Sequence, residues 1–188
     1  MKEKQEYYQA MAMLDKAFIC DKEKELKSKK IEYEYDTVWF RFKQKKTKRM
    51  NQEKCGKWMY HYFYDIDFNN LEDVNKKEDE INDFLYKICT GIIEQGWCVS
   101  CKYRSIRTNL EKSGVICFYT EIDNVEENKH IIQYMIDNDL IRKTKTGKYY
   151  NISFKLDSQT NVGEYGKNFK AKVKLSDYID LKTGQFIK

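Results

Sequence analysis

The chain contains no proline and, in 188 residues, only two histidines, His61 and His130. It also lacks the short motifs that mark several large enzyme classes. No glycine-rich loop of the Walker or dinucleotide type occurs, which argues against the familiar phosphate cradles of NTPases and NAD enzymes. No Gly-x-Ser-x-Gly elbow and no His-Glu-x-x-His pair occurs, which argues against an α/β-hydrolase serine and a helical zinc protease. No apolar run is long enough to span a bilayer and no signal peptide is read at the start, so a cytoplasmic protein with no membrane partner is expected. The missing proline, together with frequent Asn, Ile and Tyr, is partly what an AT-rich genome produces whatever the function.

What is present suits one globular domain. A chain of 188 residues can bury most of its apolar surface without disulfides or metal. With 41% hydrophobic and 15% aromatic residues it is too apolar for disorder. The six cysteines are scattered, as small core hydrophobes would be, and are expected to be free thiols. Cys98-Val-Ser-Cys101 has the spacing of half a zinc site, but no second pair follows, so neither metal nor cofactor is expected. Strand-end acids such as Asp65, Asp67, Glu121 and Asp123 are a weaker basis for a divalent ion. The net charge of +5 is modest, and its clustering says more than its size.

Residues 1–30 read as an N-terminal helix and charged segment ahead of a sheet-and-helix core over 31–188. Glu6 to Ile19 place Tyr7, Met11, Leu14 and Phe18 at three-to-four spacing, an amphipathic helix whose stripe faces the domain. Asp21 to Lys30 is nearly all charged and reads as a solvated helix end or loop. Ile31 to Phe42 alternates as a strand, with a shift near Trp39. Arg41, Lys43, Lys45, Lys46, Lys48 and Arg49 then form the strongest basic cluster, either a solvated hairpin loop or a mobile arm that meets polyanions.

Gly56 to Tyr64 is a second strand, with Trp58, Tyr60, Tyr62 and Tyr64 on one face and Lys57, Met59, His61 and Phe63 on the other. The tyrosine face either packs across the sheet or, if open, offers a platform on which a base stacks. Asn70 to Gln95 reads as a long helix, capped by Asn70 and ended by Gly96, with a core stripe of Ile81, Phe84, Leu85, Ile88, Ile92 and Ile93. Trp97 to Tyr103 is another strand, and Lys102, Arg104 and Arg107 beside its end make a compact cationic clamp for phosphate or carboxylate.

Val115 to Thr120 is an apolar strand, followed by a helix from Val125 to Leu140. A polar turn leads to a strand from Tyr150 to Leu156, and Phe169 to Leu175 alternates as a further strand. Between these two lies the turn-rich stretch Asp157 to Tyr165. The order of elements indicates an α+β domain, a curved, mostly antiparallel sheet with helices packed on one face. Such a sheet leaves a face for ligand, where Lys57, Lys102, Arg104 and Lys155 converge with Tyr119, Asp157, Thr160 and Tyr165.

Gly56-Lys57-Trp58-Met59, Ser100-Cys101-Lys102, Val115 to Thr120, and Phe154-Lys155-Leu156-Asp157 with Thr160, Gly163 and Tyr165 resemble, in that order, the basophilic-leukaemia-expressed protein family. That family has a phosphothreonine-lyase-like domain, and its fold is similar to the cap-binding translation initiation factor. The resemblance covers roughly Gly56 to Gly166 and carries over Lys57, Lys102, Lys155, Asp157, Thr160 and Tyr165. It implies a sheet cupped around a phosphorylated or nucleotide ligand.

Three functions follow as expectations. The first is a binding protein for a phosphorylated ligand, nucleotide or nucleic acid, with stacking on Trp58 or a tyrosine and phosphates on Lys57, Lys102, Arg104 and Arg107. The second is a compact phage-type inhibitor whose partner is a protein target, such as a bacterial nuclease or other defence protein. The third is a phosphothreonine-lyase-like enzyme, with Lys102 or Lys155 as base, His61 as acid and Arg104 on the phosphate. The first requires the least of the residues.

Overall fold

A computed structural model of the chain describes residues 2–45, 49–65, 71–107 and 112–187. Lys46, Lys48, Asp67 and Asn70 lie outside the described residues. Five helices, α1 (Lys2–Asp21), α2 (Glu23–Ser28), α3 (Leu71–Glu94), α4 (Val125–Asp137) and α5 (Asp157–Asn161), accompany six strands. The strands are β1 (Ile31–Tyr35), β2 (Trp39–Gln44), β3 (Cys55–Phe63), β4 (Ser100–Arg104), β5 (Ser113–Glu121) and β6 (Lys155–Leu156). They form one sheet in the order β1-β2-β4-β5-β3-β6, antiparallel at every junction. The α+β class expected from the order of elements is the class observed.

Side chains alternate across a strand, so register decides which residues share a face. Phe40, Phe42, Tyr103, Phe118 and Trp58 all turn to one side and are fully buried. The helices meet them there. Phe18 of α1 packs edge-on against Phe40, Tyr86 of α3 against Phe42, and Tyr134 of α4 against Phe118. Two glycines allow close packing on this side. A Cβ on Gly56 would lie 2.4 Å from the Phe154 ring, and one on Gly114 would lie 2.2 Å from Tyr62.

Several elements differ from the sequence reading. The expected strand Ile31 to Phe42 is a hairpin, because Asp36 accepts from the amides of Val38 and Trp39 while Thr37 takes a positive φ of 69°. An aspartate that bonds its own backbone ahead in this way closes a turn. The charged stretch after α1 contains α2, anchored by the buried Leu26. Among the described side chains of α1 the buried ones are Asp15 and Ile19, while Leu14 of the expected stripe is exposed.

Of the strand expected from Tyr150 to Leu156, only Lys155 and Leu156 join the sheet. The preceding residues pair with the C-terminal segment: Phe154 N–H donates to Val173 at 3.0 Å, and Leu175 N–H to Ile152 at 2.8 Å. Phe169 to Leu175 is accordingly no strand and contributes one bridge, Ser153 with Lys174. Alternation marks extended chain packed on a core, and it does not require a sheet neighbour.

Candidate functional site

The face turned away from the helices carries the polar residues of the same strands. Arg41 on β2 lies opposite Lys102 on β4, which lies opposite Cys117 on β5. Lys57 on β3 lies between Tyr119 on β5 and Lys155 on β6. A cavity of about 280 Å³ opens on this face, lined by Glu32, Glu34, Arg41, Lys43, Met50, Cys55, Ser100, Lys102, Tyr119 and Asp157 among others. It is slightly smaller than the roughly 300–1,000 Å³ typical of ligand pockets.

Lys102 occupies the centre. Its ammonium nitrogen lies 4.3 Å from the centroid of the Trp39 ring and 5.3 Å from that of Tyr119. Among the described residues it has no ion pair and no hydrogen-bond acceptor. Desolvation, with smaller contributions from Arg41 and Lys57, lowers its pKa below the ordinary lysine value. The neighbouring cations are paired: Arg41 with Asp36, Lys43 with Glu32 at 3.5 Å, and Lys57 with Asp157 at 2.5 Å.

The wall beside Tyr119 comes from the start of α5. Lys57 Nζ donates to Asp157 Oδ1 and, at 3.0 Å, to Thr160 Oγ1, and it lies 5.5 Å from the Tyr119 ring. Cys55 donates to the other Asp157 oxygen at 3.4 Å. Burial and then Asp157 push the Cys55 thiol up to about 12, so it stays protonated. Burial likewise holds the Tyr119 hydroxyl far above its ordinary value, which keeps it a donor. Two ammonium groups and a phenol donor beside one small cavity make a place where an oxyanion is favoured.

The structure thus brings together Lys57, Lys102, Tyr119, Asp157 and Thr160, with Arg41 and Lys43. The last two lie in a paired strand, which replaces the loop or arm expected for that part of the basic cluster. Lys45 at the end of β2 donates its amide to Lys30, and Arg49 is exposed. Arg104 continues the Lys102 row opposite Trp39, beyond the cavity. Lys155 and Tyr165 form a contact of their own: Lys155 Nζ donates to the Glu164 carbonyl at 2.7 Å and lies 3.4 Å from the Tyr165 ring centroid. Desolvation, then Lys57, lowers the Lys155 pKa.

Two expected ligand residues are corrected. Trp58 is fully buried on the helix side, its indole N–H donating to Asn128 at 2.7 Å, so it offers no stacking surface. Arg107 has left the Lys102 row and is buried on the helix side. There it binds Asp15 at 3.2 Å, Glu78 at 3.1 Å, and Asp79. The chain turns after β4, and a guanidinium drawn toward three carboxylates faces them and not the open side.

His61 lies on the open face four residues along β3 from Lys57, about 13 Å at roughly 3.3 Å per residue. Its backbone carbonyl accepts from Arg142 at 3.4 Å, and partial desolvation, then Arg142, lowers its pKa. Lys155, in register with Lys57, is therefore at least as far from His61 along the sheet.

Sequence reasoning missed Trp39, Glu32, Glu34 and Cys55. Period-two alternation, once the hairpin break is placed at Asp36 and Thr37, puts Trp39 on the same face as Arg41. The acids enter only through pairing of β1 with β2. No known family's sequence model matches the chain, and no curated protein is detectably similar to it.

Proposed function

We propose that this protein binds a small phosphorylated ligand, with nucleotides among the candidates, in the cavity on the open face of its sheet. One observation carries the reading. Lys102 places an ammonium group in a cavity between two aromatic rings, with no counter-ion among the described residues. A partly desolvated cation held this way attracts an anionic group strongly, because the surrounding dielectric is low and no carboxylate has to be displaced. Lys57 and Tyr119 supply further donors beside it, and Thr160, which accepts from Lys57 and donates to the Leu156 carbonyl, fixes the Lys57 ammonium.

The test is a thermal-shift screen with nucleoside mono- and triphosphates, a phosphothreonine peptide, and short RNA and DNA. A ligand that binds only the folded state raises the midpoint with its concentration, and at a hundred times its dissociation constant it adds about 2.7 kcal/mol. A shift with a phosphorylated compound that is lost in Lys102→Ala supports the reading. No shift with any compound, or a shift that Lys102→Ala leaves unchanged, refutes it.

A further inference from the structure

The charges lining the cavity are balanced, and this narrows the ligand class within the reading just given. Lys43 is neutralised by Glu32, Arg41 by Asp36, and Asp157 by Lys57. Among the described residues, Lys102 and Glu34 are lining groups that have no ion pair. They stand on either side of Arg41, which is in register with both, so their backbones are separated by two strand spacings, roughly 9.5 Å. The site is therefore dipolar, with an uncompensated cation on β4 and an uncompensated anion on the edge strand β1.

A polynucleotide fits such a site poorly. A bound strand gains affinity by exchanging several counterions for lysines and arginines, and here most of the neighbouring cations already hold carboxylates. Phosphates following the one at Lys102 toward β1 would pass Arg41, already paired with Asp36, and then meet Glu34 and Glu32. Those following it toward β6 would meet the Lys57–Asp157 pair, whose cation is already neutralised.

We propose that the cavity takes a compact dipolar ligand, a single phosphate at Lys102 joined to an amino or other proton-donating group held by Glu34, and not a through-running nucleic-acid strand. The proposal rests on the phosphate-binding reading but can fail without it. Calorimetry on the full chain would use two matched pairs, phosphoethanolamine with ethyl phosphate, and cytidine with uridine 5′-monophosphate, beside decauridylate. Lys102→Met keeps the side-chain stem, and Glu34→Ala alters an exposed residue, so both variants are expected to fold.

In at least one pair the amine-bearing member should bind about tenfold more tightly, the scale of one hydrogen bond to a charged group. Glu34→Ala should abolish that difference and Lys102→Met should abolish binding. Equal binding within both pairs overturns the dipolar proposal while leaving a phosphate site. So does decauridylate binding that Glu34→Ala strengthens and that falls with salt on a log–log slope steeper than about −1.4, the value for two neutralised phosphates at roughly −0.7 each. If none of the five probes binds, or if binding survives in Lys102→Met, the phosphate reading fails and the proposal falls with it.

Discussion

Lys102 concentrates the chemistry of the open face in one side chain. Its stem runs through a half-buried position, and its ammonium rests against Trp39 and Tyr119. Desolvation lowers its pKa from the ordinary 10.5, so it gives up its proton at a lower pH than an exposed lysine. An arriving anion favours the charged form and reverses that shift. Binding of a phosphate probe should therefore weaken as pH rises through a midpoint below 10.5, and complex formation in that window should take up protons. Calorimetry in buffers of different ionisation enthalpy measures the uptake, and none in the window would remove Lys102 from the contact. The sequence singled out Lys102 as part of a cationic group, with Arg104 and Arg107, beside the end of a strand. It did not show that the chain turns after Ser105 and sends Arg107 to the opposite side.

At the level of elements, a buried polar joint at Asn128, beside the hydrogen bond from Thr120 to Glu127 at 2.6 Å, holds α4 to the sheet in an otherwise apolar interface. Asn128 accepts from the Trp58 indole and donates to the carbonyls of Glu121, at 2.9 Å, and Asn124, at 2.8 Å. Both of its amide protons and one lone pair of its oxygen are used, in a fully buried position. Trp58→Phe leaves the Asn128 oxygen buried without a donor and opens a void beside Phe154 and Tyr178, which pack against the indole. The two effects together should cost about 2–4 kcal/mol, read as a lower urea midpoint. Phosphate binding by the folded fraction should be unchanged, because the ring lies on the helix side. A loss of affinity without loss of stability would return Trp58 to the ligand face. The strand itself was legible, read from Gly56 to Tyr64 and observed from Cys55 to Phe63, since its two faces alternate cleanly. Which face would be covered was not, because tyrosines suit a packed face and a stacking face equally.

For the whole molecule, α1, α3 and the end of β4 are joined by a buried charge cluster. Asp15 and Glu78 are fully buried and share the Arg107 guanidinium, while Ser105 and Tyr35 donate to Asp15. Burial, only partly offset by Arg107, raises the pKa of both carboxyls above their ordinary 3.8 and 4.5. A raised folded-state value means that the folded protein holds these protons more tightly than the unfolded chain. Their contribution to stability is present below the ordinary carboxylate range and is lost as pH rises toward the folded values. Glu78→Gln should therefore flatten the decline in stability above about pH 4.5, measured by urea unfolding at a series of pH values. An unchanged slope would mean that Glu78 is ionised throughout.

The sequence by itself determined the α+β class, the long helices, the central strands as separate elements and the candidate cations Lys57 and Lys102, because hydrophobic periodicity and turn chemistry act over a few neighbouring residues. Only the tertiary structure decided the remainder: the hairpin at Asp36, the partner of residues 150–154, the burial of Trp58 and Arg107, and the entry of Glu34 and Trp39 into the site. Each of these depends on which distant strand or helix lies alongside. Such pairings are set by packing energies summed over the whole core, and no local window of sequence contains them.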